Sequence, residues 1–416
     1  MQRVLVVDKS KKALMPCHPA RARELLTSGK AAVHRRFPFT IILKEREGGE
    51  TQPVALKVDP GSKTTGLALV ADFQQSRCVL WGAELTHRGQ AIRDALLSRS
   101  QQRRSRRARH TRYRPARFHN RRRSAGRLPP SLKSRIDNIW TWAVRLAWRC
   151  PITSISQELV RFDMQLMENA EISGVEYQQG ALQGYEVREY LLEKWGRTCA
   201  YCGAKDLPLE IEHITPKTRG GLNRITNMSL ACHDCNQKKG TQTAAEFGHP
   251  EVQAKARRPL KDAAAVNATR WALFDRLKLT GLPIEAGTGG RTKFNRISQG
   301  YPKAHWIDAA CVGESGTLVQ LNSHLIPLSI KAAGRQRRQM TLPDKHGFPR
   351  TKAKTSSTAY GFKTGDFVKA IVPTGKTAGV HVGRVAIRNR PSFGLNGFDV
   401  HPKHLTTLHH SDGYTY

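Results

Sequence analysis

The sequence predicts an α/β protein whose main sheet is assembled from separated stretches of chain, with other units inserted between them. Three observations carry this. Turn-bounded, β-rich segments at 54–70 and 152–158 read as strands and lie far apart. Two Cys-x-x-Cys pairs, Cys199/Cys202 and Cys232/Cys235, stand 29 residues apart in mid-chain and enclose a compact unit of their own. Twelve arginines and no acid fall between Arg99 and Arg123, a density that leaves a helix without an apolar face to bury. At 416 residues there is room for two or three domains with real cores.

Taken in order, residues 1–53 open with Ala13-Leu14-Met15-Pro16 and continue as strand, helix and turn. Residues 54–87 form the first sheet segment, with Asp59 ending one strand and Pro60-Gly61 turning into the next. Residues 88–126 are the basic helix. Arg103, Arg104, Arg106, Arg107, Arg109, Arg112, Arg114, Arg117, Arg121 and Arg122 offer planar forks for phosphate, and Tyr113 and Phe118 lie among them. Residues 127–184 give a helix over 137–148, packing Ile139, Trp142, Val144 and Leu146 on the sheet, then a strand ending in Glu158. The polar, glycine-bearing stretch 178–185 reads as a hinge. Residues 185–248 hold the cysteine unit, and 249–334 the last sheet segment, where a helix at 304–310 puts His305 and Asp308 on one face. Residues 335–416 read as short strands of a small barrel, and from Lys331 onward there are fifteen Lys and Arg against four acids.

Formal net charge is +36, from 69 Lys and Arg against 33 Asp and Glu. Such a field favours a polyanionic partner. No apolar run reaches the length of a membrane span and the start lacks a secretory pattern, so the protein is expected inside the cell. Cys17, Cys78, Cys150 and Cys311 occur singly in mostly apolar surroundings and are expected as buried free thiols.

Four thiolates from two hooks would close a tetrahedral zinc shell and leave no position for substrate, so that zinc is structural. It is expected to fold a segment with too few apolar residues for a core of its own. Between the hooks stand Glu212-His213, Gly220-Gly221, Asn223, Asn227 and Asn236. This pattern resembles the HNH, or ββα-metal, nucleases. The resemblance implies that His213 takes a proton from the attacking water, that Glu212 and Asn236 hold one magnesium ion, and that Asn227 orients the imidazole. A zinc ribbon that only binds nucleic acid would need the cysteines but not the Glu-His, Gly-Gly and Asn spacing.

The strand, Gly-bearing turn and strand around Asp59 resemble the opening of the RNase H-like nuclease fold. Asp59, Glu158 and Asp308 gathered in that fold would repel one another unless cations lay between them, and two magnesium ions would both neutralise them and clamp the attacking and leaving oxygens. The order of parts resembles the split RuvC layout of CRISPR type II effectors, and in compact form the transposon-associated IscB family. Residues 361–370, with Gly383-Arg384-Val385-Ala386 beyond them, are similar to that family's carboxy-terminal domain. The resemblance implies a split RNase H-like (RuvC) domain with an inserted ββα-metal HNH zinc nuclease, an Arg-rich bridge helix and a β-rich carboxy-terminal domain. It further implies a monomeric ribonucleoprotein in which a structured guide RNA pairs with one strand of a double-stranded DNA target. The HNH site would cut the guide-paired strand and the RuvC site, with His305, the displaced one, while the carboxy-terminal domain helps read a short flanking motif. An unguided HNH homing or restriction endonuclease and a non-catalytic RNA-binding regulator are the rival readings; the split acids argue against the first, and the intact acids and His213 against the second.

Overall fold

The computed structural model describes residues 2–109, 127–159, 191–192, 194–205, 207–222, 225–257, 263–322, 324–334, 341, 344–346, 348–352, 356–388 and 390–416, with side chains excepted at 225 and 263–268. Arg112, Arg114, Arg117, Arg121, Arg122, Tyr113, Phe118, Asn223 and the hinge at 178–185 lie outside the described residues.

The chain opens with β1 (Val4–Val7), β2 (Ala13–Cys17), α1 (Pro19–Thr27), β3 (Ala31–Arg35) and β4 (Thr40–Leu43). The strands form one sheet in the order β2-β1-β4-β3. Proline at the first turn and a His18 ring nitrogen accepting the Ala20 N–H start α1, and Ala22 turns onto a core of Val4, Val6, Leu14 and Ile41. Next come β5 (Val54–Asp59), β6 (Thr64–Asp72), β7 (Arg77–Thr86), α2 (Gly89–Ala108), α3 (Pro130–Ala147) and β8 (Ile152–Glu158). The cysteine region contributes β9 (Leu209–His213), β10 (Met228–Cys232) and α4 (His233–Lys239). After it follow α5 (Pro250–Arg257), α6 (Ala263–Lys278), β11 (Ile284–Gly287), α7 (Gly289–Ser298), α8 (His305–Ala310), β12 (Val319–Gln320) and β13 (Leu328–Ala332). The last strands are β14 (Thr358–Ala359), β15 (Phe362–Lys363), β16 (Phe367–Val372), β17 (Gly379–Ala386), β18 (Phe393–Leu395), β19 (Phe398–Val400), β20 (Leu405–His409) and β21 (Tyr414–Thr415).

Two compact units divide the chain, unit 1 covering 1–51, 83–150 and 326–416, and unit 2 covering 52–82 and 151–325. In unit 2 the sheet runs β11-β8-β5-β6-β7. β5 and β6 are antiparallel, whereas β8 runs parallel to β5 and β11 parallel to β8. Central position explains why Val54, Leu56, Val58, Leu67 and Leu69 are all buried, since a strand covered on both faces has no polar side to show. In unit 1, the end of β7 pairs with β13, which pairs with β21.

Also in unit 1, α3 buries Ile136, Ile139, Trp142, Ala143 and Leu146, a stripe at helical spacing. Val144, expected on that stripe, is only half-buried because Ala143 holds the inward position beside Trp142. The Trp142 ring meets Tyr414 of β21 edge-on at 5.7 Å. Arg145, one turn along, donates to Asp412 at 2.8 Å, and burial of that pair fastens the end of the chain to α3. α2 starts close against α3, where a Cβ on Gly89 would lie 3.1 Å from Arg135 Nε, and then runs out with residues 101–108 all exposed. Arg103, Arg104, Arg106 and Arg107 therefore face solvent, while Arg109 sits over the Phe348 ring at 5.5 Å.

The carboxy-terminal strands make a five-stranded antiparallel sheet, β19-β18-β17-β16-β20, where a small barrel was expected. Its β18–β19 hairpin turns on Asn396-Gly397, both at positive φ, the two-residue turn that matches the twist of paired strands. Of the four single cysteines, Cys150 and Cys311 are buried free thiols; Cys17 and Cys78 are only half-buried.

Candidate active site

Asp59 ends β5 and Glu158 ends β8, and parallel pairing of these strands (Val58 opposite Gln157) brings both carboxylates to the same end of the sheet. The third acid arrives on α8. Gly66, the partner of Asp59 across the β5–β6 hairpin, has its missing side chain replaced by the start of that helix: a Cβ there would lie 1.8 Å from the His305 carbonyl oxygen. Gly82 likewise accepts Trp306, whose ring would meet a Cβ at 2.8 Å. Two missing side chains thus let a six-residue helix settle directly on the sheet. It lowers His305 to 3.7 Å from Asp59 Oδ2 and sets Asp308 nearby. Asp59, Glu158, His305 and Asp308 line one cleft of about 310 Å³, with Gly61, Arg197, Arg270, Lys293, Arg296 and Lys303 among its walls.

The electrostatics of this cleft suit divalent cations. Burial, and then the Asp59 charge, push the Asp308 carboxyl up to about 6, with the Arg296 guanidinium opposing them. Arg296 Nε lies 2.9 Å from Asp308 Oδ1, and Arg270 Nη2 lies 3.1 Å from Glu158 Oε1. Both arginines are almost wholly buried, and each offsets part of the charge of the acid it faces. The three carboxylates line the same cleft, where divalent ions between them would offset the charge that remains.

The second constellation is the β9–β10 hairpin with α4 behind it. Cys199, Cys202, Cys232 and Cys235 place their sulfurs within 4.8 Å of one another. A tetrahedral shell with metal–sulfur bonds of about 2.3 Å sets its sulfurs about 3.8 Å apart. Cys202 and Cys232 have that separation, 3.8 Å, so the thiols fit zinc. The expectation that this segment lacks a core is corrected. Leu209, Ile214 and Leu230 pack with Leu191, Leu192 and Trp195 before the hooks and with Ala244, Val252 and Ala256 after them. Reading residues 199–240 alone left those partners out.

His213 closes β9, and the loop after it is tightly held. Gly220 adopts a left-handed φ of 79°, and a Cβ on Gly221 would lie 1.8 Å from the Thr215 carbonyl oxygen. Asn227 was expected to accept from the imidazole. Its side-chain oxygen accepts from the Thr215 N–H at 2.8 Å, and its amide donates to the Thr215 and Leu222 carbonyls, so it staples the loop that leaves His213. Lys239, fully buried, donates to the His213 carbonyl at 3.0 Å and fixes the strand end from the helix side.

Glu212 departs from its expected place as a magnesium ligand. It is 4% exposed, accepts from Tyr201 at 2.6 Å and Ser229 at 2.8 Å, and pairs with Lys239 at 2.5 Å. Glu210, two residues earlier and therefore on the same face of β9, is the acid beside Asn236, which donates to it at 2.6 Å; His233 lies 2.9 Å from its other oxygen. Glu210 and His233 are both exposed enough to meet a ligand.

Residues 4–180 match the RRXRR protein family, and residues 199–250 match the HNH endonuclease family. The chain carries an RRXRR region and an HNH endonuclease domain, an order of parts consistent with an IscB-like RuvC/HNH nuclease. The second match begins at Cys199 and covers both hooks, His213 and Asn236. Solved structures similar to this nuclease include Streptococcus thermophilus Cas9 in complex with the GGAA PAM, at 13% identity over 62% of this chain and 32% of that one, TM-score 0.21. Another is the Type II-C Cas9 from Actinomyces naeslundii, at 19% identity over 48% of this chain and 28% of that one, TM-score 0.15. The chain spans about a third of the length of these structures. No curated protein matches it. Among its described residues no helix is long and apolar enough to cross a membrane.

Several residues of this nuclease gave no motif to read. Arg270 and Arg296 stand in helices whose sequences carry no sign that they enter the cleft. Lys239, in the pair Lys238-Lys239, and Tyr201, between two cysteines, carry no sign in the sequence that they enclose an acid. Glu210 was legible: strand period alone puts it on the Glu212 face.

Proposed function

We propose that this nuclease is an RNA-guided endonuclease of double-stranded DNA, whose HNH site cuts the guide-paired strand and whose carboxylate cleft cuts the displaced strand. The observation that carries the reading is the meeting of Asp59, Glu158 and Asp308, from three distant parts of the chain, in one cleft rimmed by cations. Divalent metal held by these acids in the cleft, and by Asn236 with Glu210 at the HNH site, would activate the attacking water and neutralise charge on phosphate. His213 takes the proton from that water at the HNH site, and His305 does so beside Asp59. Asn227 and Lys239 hold the loop and strand end that aim His213. Zinc in the four cysteines is structural, because all its positions are filled by protein.

RNA guidance is supported by the exposed arginines of α2, and by net charge of +36. The test is to purify the protein from cells carrying the DNA that flanks its gene and to sequence the bound nucleic acid. One dominant structured RNA whose variable end directs cutting is expected; sequence-specific cutting by protein alone would end the reading. Replacing Arg103, Arg104, Arg106 and Arg107 together by glutamine is expected to flatten the salt dependence of RNA binding by about 0.7–0.9 log units for each phosphate no longer neutralised. Helix propensity barely changes, since glutamine and arginine are near equals. Filter binding across a salt series reads the slope.

The two acids of β9 are separable by experiment. Glu210→Gln is expected to slow guide-paired-strand cutting by about two orders of magnitude while leaving the melting temperature in place. Glu212→Gln is expected to destabilise the HNH segment by about 3 kcal/mol, because it leaves Lys239 as a buried cation without its counter-charge. Strand-labelled cutting and thermal melts distinguish them. Loss of activity from Glu212→Gln at unchanged stability would return the metal-binding role to Glu212.

A further inference from the structure

Behind the acids of the cleft lies a buried polar assembly that no step of the proposed chemistry uses. Lys57 is two residues before Asp59 on β5, so both side chains leave the same face of the sheet, one rung apart. Pairing extends that rung: Lys57 is opposite Ser156 of β8, and Ser156 is opposite Glu285 of β11. The next rung forward holds Asp59 and Glu158. Lys57 is 1% exposed, and its ammonium donates to the Val312 carbonyl at 2.9 Å and to the Ser315 hydroxyl at 2.6 Å. That hydroxyl in turn donates to Glu285, which also accepts from the Ser315 N–H at 3.1 Å and from Ser156 at 2.7 Å.

Val312 and Ser315 belong to the segment that leaves α8, the helix carrying His305 and Asp308. A second buried side chain holds the same segment: Asn295 of α7 donates to the Cys311 carbonyl at 2.9 Å and to the Gly313 carbonyl at 2.7 Å. The fit is close enough that a Cβ on Gly313 would lie 2.3 Å from the Glu285 carboxyl. α8 has only six residues and no side-chain cap at its start, so its own hydrogen bonds fix its position weakly.

We propose that Lys57 is a positioning residue for the carboxylate cleft: with Ser315 and Glu285 it pins the end of α8 to β5, β8 and β11, and thereby sets the spacing of Asp308 from Asp59 and Glu158 at which divalent metal binds. The proposal rests on the reading of that cleft as a metal-dependent site. A buried lysine linked to a glutamate through a serine is a costly way to hold a loop, and an apolar contact would hold it as well. Lysine differs from an apolar side chain in having a directed bond to one carbonyl, which fixes the register of the helix and not merely its proximity.

The test uses the full-length protein and Mn2+ as probe, followed by the electron paramagnetic resonance signal of free Mn2+, so that it needs neither guide nor cutting. Asp59→Ala removes the cleft's share of bound Mn2+ and defines it. Lys57→Met is expected to weaken that share about tenfold, and in strand-labelled assays to raise the Mg2+ needed for displaced-strand nicking by a similar factor, with the guide-paired cut within twofold of the parent. Ser315→Ala, which removes one bond from the same assembly without burying a new charge, is expected to weaken Mn2+ binding about threefold. Mn2+ uptake unchanged by Asp59→Ala would refute the cleft reading itself. If Asp59→Ala removes the uptake while Lys57→Met binds Mn2+ as tightly as the parent, the positioning role is overturned. Should Lys57→Met fail to fold, Ser315→Ala decides alone: parental affinity overturns the proposal and a threefold loss upholds it.

Discussion

Asp59→Ala is expected to leave a nickase that cuts only the guide-paired strand, and His213→Ala one that cuts only the displaced strand. The expectation follows from two sites with separate general bases and separate acids. Asp59 sits at the convergence of β5, β8 and α8, and its removal takes a carboxylate from the cleft while Gly66 still seats the helix. His213 stands at the end of a different hairpin, held through its backbone by Lys239, so losing the imidazole leaves the strand end where it was. General-base catalysis alone accounts for about 10²–10⁴-fold, and losing a metal ligand adds to it, so each variant is expected to lose at least about three orders of magnitude on its own strand. A plasmid target labelled separately on each strand reads both rates. Loss of both cuts from either substitution, with target binding intact, would mean that the sites are not independent.

Removing zinc is expected to have the next largest effect. Four thiolates at tetrahedral separation contribute about 10–16 kcal/mol of metal binding in small zinc modules, and that energy is folding energy. The HNH segment also has its own apolar cluster from Leu191 to Ala256, so it is expected to keep some helix while losing the hairpin geometry that aims His213. Cys235→Ser is therefore expected to release zinc and to reduce guide-paired-strand cutting by about a thousandfold, with displaced-strand nicking retained. Elemental analysis for zinc beside the strand-labelled assay checks both halves. Full cutting by protein containing no zinc would remove the cysteines from the account.

How much of this could be read beforehand depended on whether a residue's partners were near in sequence or near only in space. Asp59, Glu158, His305 and Asp308 were legible because each stands in a recognisable element; parallel pairing of β5 with β8 brings the first two to one end of the sheet, and α8 seated over Gly66 brings the other two. The four cysteines were legible from spacing alone. Illegible were the side chains that serve the site from distant parts of the chain. Arg270 and Arg296 balance acids 112 and 12 residues away, and no local pattern marks an arginine that will be buried. Glu212 and Glu210 show the opposite failure. Adjacency to His213 favoured Glu212, whereas Lys239, Tyr201 and Ser229 enclose it and leave Glu210 beside Asn236. Val144 was misplaced by one position, because Ala143 completes the stripe with Ile139, Trp142 and Leu146.

The wide separation of the cleft acids along the chain has a bearing on how the protein is made. Asp308 follows Glu158 by 150 residues, and β11, which covers the open edge of β8, begins only at Ile284. A ribosome adding about 5–20 residues per second needs roughly 8–30 seconds to travel from one acid to the other. Through most of that interval the nascent chain displays β5, β6 and β8 with a bare strand edge, and neither His305 nor Asp308 has yet been synthesised. The zinc hooks and the hairpin between them emerge first and can close by themselves. The growing polypeptide therefore passes through a stage in which one cutting centre is whole while the other consists of two carboxylates on an unfinished sheet, and the second becomes competent only when α8 leaves the exit tunnel and drops into the groove that Gly66 keeps open.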